Sequence, residues 1–506
     1  MRRRQTDEIV ETNAPDSFSG LVLRGSFHIG VSQAVSVGCM IASVIVLSRL
    51  LTAHDFGLIA MIAPIMAFLA MFRDLGLLQA VIQKNDLTYG QLNALFWINM
   101  GISAGLTALL FVAAPWIAAF YGEPDLIPLI RVMALGMVLT GLGAQHFALM
   151  NRQMMFGLMA INSCVIAVLS LLTSILWALV APSPWALVAG TITGTLIGAA
   201  LVWLWVPWRP GTPALAPGTR DLFGFGAGVT GFKLANFFSR NLDNILIGRT
   251  WGGATLGLYD RAYKLLLFPL NRVAQPLSQV MVPVLSRMQD EPERYNHAFF
   301  RVFGLMQLAI LPGVAAATAM ADTAVPFLLG AQWAAAAPIF AALGIAGMVQ
   351  PLCSPTGWLF ISQGRTKEMA WWGFSVAVVT VSVFVWSVEY GVETLALAYA
   401  GVAVAQFLPL WLLICRKGPL KRACLMTHHL PLIAAVGTTF AGLILIRDGL
   451  PDLAIARLLA GTAFSYALFA VVLAFSAYGR SILREVLGLG ILGLGNLRPF
   501  REDPVP

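Results

Sequence analysis

Lys233, Asn236, Arg240, Asp243 and Asn244 sit in a stretch, residues 223–249, that is long enough to cross a bilayer and yet carries charges where lipid should be. At about 100° per residue these five fall within roughly a 100° arc of one helix face, while Phe232, Leu234, Phe238, Leu242, Ile245 and Leu246 lie largely outside it. A charge at the centre of a membrane-spanning helix costs about 3 kcal/mol, so three facing lipid would cost on the order of 9 kcal/mol. The stripe therefore demands a wet or proteinaceous surrounding. Either it lines a hydrated cavity, or Lys233, Arg240 and Asp243 neutralise one another in a helix contact while the asparagines bond a neighbour. The next stretch adds a second polar face, with Asp260, Lys264, Asn271, Gln275 and Ser278 at i, i+4, i+11, i+15 and i+18 and with Arg272 and Gln279 at its edge. Cations and amide donors on two consecutive helices suit the oxygens of a phosphate or pyrophosphate. The competing reading makes Asp260 and Lys264 one ion pair and the amides interhelical glue.

Three other groups are candidates for chemistry. Arg24, His28, Ser32, Ser36 and Ser43, with Gln33 beside them, could form a matching wall in the first apolar run, although Arg24 can equally snorkel to headgroups. Pro351 and Pro355, beside Gln350, Ser354 and Thr356, predict a kink with freed carbonyls at bilayer depth, in a helix that either moves or is bent permanently. Glu123 and Asp125 are a possible carboxylate pair, but their flanks, FYGEPDLIPL, read more readily as turn and cap. No G-x-S-x-G, H-E-x-x-H, Walker A or dinucleotide fingerprint occurs, so the expectation is a protein that is no enzyme and needs no cofactor or metal.

The elements that must position these residues follow from composition. Of 506 residues 58% are hydrophobic and 11% charged, and the mean hydropathy is +0.79. A soluble domain averages about 25% charged residues, so this is an all-α polytopic membrane protein. The net charge of +8 comes from cations spread singly between apolar runs, with no basic tract of interleaved aromatics, which argues against nucleic acid. The polar start, residues 1–22, offers no removable signal peptide and reads as a cytoplasmic segment. Cys39, Cys164, Cys353, Cys415 and Cys424 show no C-x-x-C spacing, and small apolar packing is their expected role.

Apolar runs of about 20 residues predict about fourteen transmembrane helices, at 26–48, 56–72, 93–120, 126–149, 156–180, 185–206, 224–248, 257–284, 300–320, 336–361, 369–388, 393–415, 429–446 and 455–477. Thr52 and Asp55 should cap the second span, and Gly122, Glu123 and Pro124 should end one helix and begin the next. Most of the 32 basic residues fall at one side of this topology, which places both termini in the cytoplasm. The tail, residues 480–506, is Gly-rich and reads as interfacial.

At an offset of 200, Arg49 meets Arg249 and Phe56-Gly57-Leu58 meets Leu256-Gly257-Leu258; at 208, Gly122 meets Gly330 and Ala134-Leu135-Gly136 meets Ala342-Leu343-Gly344. Six spans per half give halves of like orientation, related by a pseudo-two-fold axis along the membrane normal. The expected organisation is an N-lobe at 23–208, a Pro-rich cytoplasmic linker at 209–222, a C-lobe at 223–422 and two further helices at 423–479.

The strings SRLLTAHDFGLIAM, DLGLLQAVIQKNDLTYGQLNALFWIN and APWIAAFYGEPDLIPLIRVMAL, and in the second half NLDNILIGRTWGGATLGLYDRAYKLLLFPLNRVAQPLSQVMVPVLSRM, resemble the Wzx-type polysaccharide exporters. The likeness is to the colanic-acid exporter (WzxC-like) branch of the MATE-like (MOP) flippase superfamily and runs roughly from Phe27 to Arg422. It implies two six-helix lobes around a cavity that opens alternately to cytoplasm and periplasm of a bacterial inner membrane. It also implies an undecaprenyl-pyrophosphate-linked oligosaccharide as cargo, for exopolysaccharide or lipopolysaccharide biosynthesis, with polymerase or export machinery as a further partner. The family has no single invariant motif, so the substrate-binding set rests on the physical argument: Lys233, Arg240 and Arg272 for pyrophosphate, Asn236, Asn244 and Gln275 for phosphate or sugar, and Arg24. Asp243 between two cations is a candidate coupling carboxylate. The alternatives are a cation-coupled drug exporter, weakened because the first span lacks the carboxylate such members use, and a membrane-embedded glycan transferase or polymerase.

Overall fold

A backbone surrounded by lipid must satisfy its own hydrogen bonds, which the apolar runs do by coiling. In the computed structural model every regular element among the described residues is a helix. The structure describes residues 18–74, 88–214 and 219–492, with side chains excepted at 18–27, 29, 74, 219–236, 238–240, 268, 269, 271, 272 and 489–492. Its helices are α1 (Phe18–Leu50), α2 (Ala53–Asp74), α3 (Tyr89–Tyr121), α4 (Leu126–Arg152), α5 (Phe156–Val180), α6 (Trp185–Trp205), α7 (Thr219–Ser286), α8 (Pro292–Ala319), α9 (Ala321–Leu329), α10 (Ala337–Cys353), α11 (Thr356–Ser362), α12 (Thr366–Ser387), α13 (Val392–Ile414), α14 (Leu430–Ile446), α15 (Ala454–Ala474) and α16 (Ala477–Leu492). Among the described residues twelve helical stretches are long and apolar enough to cross a membrane. They coincide with twelve of the expected spans, and the other two expected spans fall within α7.

The chain forms two compact units, Met1–Asp260 with Leu328–Trp333, and Arg261–Phe327 with Ala334–Pro506. In the first unit the short connections carry the chemistry that helix ends require. The Asp55 carboxylate accepts from the Thr52 backbone N–H (2.8 Å) and hydroxyl (2.7 Å), while the Thr52 hydroxyl accepts from the Asp55 N–H, a reciprocal cap of the expected kind. Thr88 and Gln91 make the same box at the start of α3. Gly122 ends α3 at φ 74°, the left-handed conformation that glycine adopts without strain. Asp125 precedes α4 but its side chain makes no cap bond, so the expectation of a cap there is not met; the helix end is left to Glu123 and Pro124 carbonyls, which accept from Leu126 and Ile127.

Helices α5 and α6 pack through a small-residue seam. A Cβ at Gly190 would overlap Ser174 and one at Gly194 would overlap Ser170, so both positions hold the helices at backbone distance. Outward faces are apolar instead: Leu176, Leu179, Val180 and Leu204 are exposed, as residues in contact with acyl chains should be.

The first residues of the Pro-rich linker are pinned. Tyr89, Asn93 and Trp97, at i, i+4 and i+8 on α3, donate respectively to the carbonyls of Arg209 (2.9 Å), Thr212 (2.7 Å) and Gly211 (2.8 Å), and Asn93 Oδ1 accepts from the Gly211 N–H. The Arg209 guanidinium turns back onto the carbonyls of Trp203, Val206 and Trp208, closing the C-terminus of α6. Trp208 is fully buried against Phe96 and His146.

The contact between the start of α2 and α7 at Gly253 and Gly257 has a particular form. A Cβ on Gly57 would overlap the carbonyl of Gly253, and a Cβ on Gly257 would overlap the carbonyl of Ala53. Shifted by 200 residues, each contact becomes the other, which is the packing of a repeated fold. Nearby, Arg49 lies against Gly330, and the Arg249 guanidinium sits 5.5 Å from the ring centre of Phe120, two residues before Gly122.

In the second unit the expected kink is present between α10 and α11. Pro355 has no N–H to give the Pro351 carbonyl, and Gln307 on α8 supplies the missing donor at 2.8 Å. The Trp411 indole N–H donates to the next carbonyl, Leu352, and the Thr356 hydroxyl donates to Cys353. The bend is thus stapled from three directions. Arg365 closes α13 by donating to the carbonyls of Leu413, Ile414 and Lys417 while pairing with Glu368 at 2.8 Å. Cys415 and Cys424, at the two ends of the basic loop, bring their sulfurs to 3.5 Å. The tail helix α16 docks on α8 through Tyr478, whose hydroxyl donates to the Phe300 carbonyl, and through an Arg301–Glu485 ion pair.

Candidate substrate-binding site

Gly252 determines the local geometry of the polar stripe. Its φ of 77° and ψ of −179° break α7 into two limbs, a conformation open to glycine and costly for other residues. In an unbroken helix Asp243 and Tyr259 would stand about 24 Å apart along the axis at 1.5 Å per residue. Here the Tyr259 hydroxyl donates to Asp243 Oδ2 at 2.9 Å, so the chain has folded back on itself. Asp243 is 5% exposed and its Oδ1 accepts from the Asn244 backbone N–H. Tyr259 is fully buried and Asp260 is 4% exposed. A buried carboxylate is thereby held by two donors, with a second carboxylate on the neighbouring limb.

The other predicted residues divide by what is described. Asn244 is half-buried beside Asp243, and Asn241 donates to the Phe237 carbonyl one turn earlier. Gln275 and Gln279 on the second limb are exposed, as is Lys264. Lys233, Asn236, Arg240 and Arg272 fall within the range of α7, and Arg24 within α1, but their side chains lie outside the described residues. In α1, His28 and Gln33 are exposed, Ser32 is buried, and Ser36 and Ser43 are half-buried. Glu123 pairs with His54 at 3.2 Å rather than with Asp125. Among the described residues no cluster of three His, Cys, Asp or Glu side chains is placed to hold a metal ion.

Residue-by-residue reading of the sequence overlooked a chamber of about 430 Å³ in the first unit, lined by Arg73, Asn99, Thr140, Asn162 and Thr195 among apolar side chains. Its signal was available: Asn99 and Asn162 are single amides inside otherwise apolar spans, and a buried amide in such a place needs a partner. An average over twenty residues dilutes one amide to nothing.

A family model described as polysaccharide biosynthesis protein matches residues 46–338, more than half of the chain. The chain belongs to that family. Among curated relatives, this family member is 28% identical to the teichuronic acid biosynthesis protein TuaB of Bacillus subtilis (strain 168), over 67% of this chain and 71% of that protein. It is 25% identical to the succinoglycan biosynthesis transport protein ExoT of Rhizobium meliloti (strain 1021), over 91% and 93%. It is 24% identical to the lipopolysaccharide biosynthesis protein WzxC of Escherichia coli (strain K12), over 68% and 70%, the branch whose resemblance the sequence strings carry. Its fold is shared with the lipid II flippase MurJ in an inward closed conformation, at a TM-score of 0.70 and 12% identity, over 91% of this chain and 99% of that one. An inward-facing multidrug resistance MATE transporter of the MOP superfamily matches at 0.60 and 13%, over 75% and 95%.

Proposed function

We propose that this protein is a flippase that carries undecaprenyl-pyrophosphate-linked oligosaccharide units across the bacterial inner membrane by alternating access, as a transporter and not an enzyme. Membership of the polysaccharide biosynthesis family carries the reading, and the near full-length likeness to a succinoglycan transport protein supports it. In this proposal the two limbs of α7 are the seventh and eighth spans, making fourteen, with both termini cytoplasmic. Two six-helix halves, 23–208 and 223–422, joined by the linker at 209–222, rock about a pseudo-two-fold axis, and helices 423–479 and the tail at 480–506 are additions to that core. The reciprocal Gly57 and Gly257 contacts support such a repeat.

Lys233, Arg240 and Arg272, with Arg24, would neutralise the pyrophosphate, and the amides of Asn236, Asn244 and Gln275 would reach phosphate or sugar. Asp243 would couple transport to protons, its charge switched between the cations on its own helix face. The test is transbilayer movement of a fluorescent lipid-pyrophosphate oligosaccharide in vesicles holding the pure protein. Movement in wild type and its loss in Lys233→Ala/Arg240→Ala at normal expression are the expected results. Equal movement in both leaves the function standing and makes the stripe structural; no movement in either overturns the function. The likeness to a MATE transporter favours one second reading, export of organic cations, which resistance of an expressing strain to such compounds would reveal.

A further inference from the structure

The chamber among α2, α3, α4, α5 and α6 presents hydrogen-bond acceptors beside donors. Asn162 is 5% exposed, and its Oδ1 is buried without a hydrogen-bond partner among the described residues. The Thr140 hydroxyl spends its proton on the Gly136 carbonyl (2.7 Å) and the Thr195 hydroxyl on the Thr191 carbonyl (2.8 Å), so toward the chamber both offer only lone pairs. Three acceptors therefore share one space with Arg73 and the Asn99 amide, between apolar walls that include Phe147 and Ile166.

A complementary guest both donates and accepts hydrogen bonds and carries an apolar face. A small cation would satisfy the acceptors, but Arg73 lines the same chamber, and a space equal to about fourteen waters at ~30 Å³ each is far larger than an ion requires. A sugar ring fits both demands, since its hydroxyls donate around the rim and its C–H face is apolar. We infer that this chamber is a neutral-sugar subsite, taking the hydroxyls of one ring of the lipid-linked cargo at Asn162, Thr140 and Thr195, apart from any contact to pyrophosphate. The inference rests on the flippase reading and adds a place where the glycan itself is recognised.

The test compares the affinities of the purified full-length protein for undecaprenyl pyrophosphate alone and for the same lipid carrying a single glucose, galactose or N-acetylglucosamine. In wild type at least one sugar-bearing lipid should bind tighter than the bare lipid. In Asn162→Leu that advantage should fall about fivefold, the worth of one neutral hydrogen bond, while the bare lipid binds as before. Thr140→Val/Thr195→Val, which keeps side-chain shape and removes two acceptors, should lose the same advantage and decides the matter if Asn162→Leu does not fold. A sugar advantage that survives in a folded variant, or is missing from wild type, overturns the subsite and leaves the flippase reading intact. Failure of wild type to bind even the bare lipid overturns the flippase reading and the subsite with it.

Discussion

At the scale of single residues, the Tyr259–Asp243 bond is the most exposed to test. Removing the hydroxyl leaves a buried carboxylate oxygen short of a donor, so Tyr259→Phe should destabilise the protein by about 1–3 kcal/mol, measured by thermal unfolding in detergent. The companion Asp243→Asn keeps an acceptor in place, and transport in vesicles across a pH series then separates coupling from stability: under the proposed coupling, transport should vary with pH in wild type and not in the variant, and matching profiles would remove Asp243 from proton coupling. A second residue-level expectation concerns Cys415. The Cys424 thiol donates to it, and Arg422 and Arg365 add positive potential, which together hold the Cys415 thiol below the usual range. The thiolate is thereby favoured, and removing one of the cations in Arg422→Gln should slow maleimide labelling of Cys415 at a fixed neutral pH. An unchanged rate would contradict the shift. The sequence made Asp243 conspicuous because a charge among apolar residues is costly, whereas Tyr259 drew no attention. Its role depends on the register of the fold-back at Gly252, and hydropathy fixes where a helix ends only to within a turn or so.

Elements show the same division between what an isolated stretch can reveal and what only its neighbours supply. The break at Pro351 and Pro355 was readable, since a missing N–H and a ring clash are properties of proline wherever it stands. Its staple was not, because Gln307 and Trp411 lie on other helices. Gln307→Leu should orphan the Pro351 carbonyl and lower unfolding stability by about 1–3 kcal/mol, more than the same change at the exposed Gln279. The linker behaves similarly. Its prolines mark a boundary in the sequence, but they do not reveal that residues 209–212 are bonded to three successive turns of α3. In Asn93→Ala the Gly211 N–H loses its acceptor, and amide exchange at residues 209–212 should quicken relative to wild type with the rest of α3 unchanged. Unaltered exchange would mean that Tyr89 and Trp97 suffice.

For the whole molecule, hydropathy was enough to find the spans because each run in lipid must satisfy its own backbone, a constraint that needs no knowledge of partners. Twelve of them appear as helices of membrane-crossing length among the described residues. The small-residue seams were harder to see, since glycine in a helix can equally be a cap, a hinge or a point of close approach, and only the facing helix decides. Gly194 is a case in which it does: Gly194→Leu should drive α6 off α5, lowering the yield of monodisperse protein, whereas the same change at Gly105, which has open space, should be tolerated.

The paired approach of Gly57 to Gly253 and of Gly257 to Ala53 occurs within one chain. Two identical chains meeting across a two-fold axis make every contact twice, so a residue must suit its own role and its mirror role together. In a single chain the two versions of such a contact are separate residues, free to differ. Here one joins Gly57 to Gly253 and the other joins Gly257 to Ala53, so alanine stands at one of the four small positions. A substitution at one contact therefore leaves the other intact, so Gly57 and Gly257 can be varied independently to weigh the two sides of the fit.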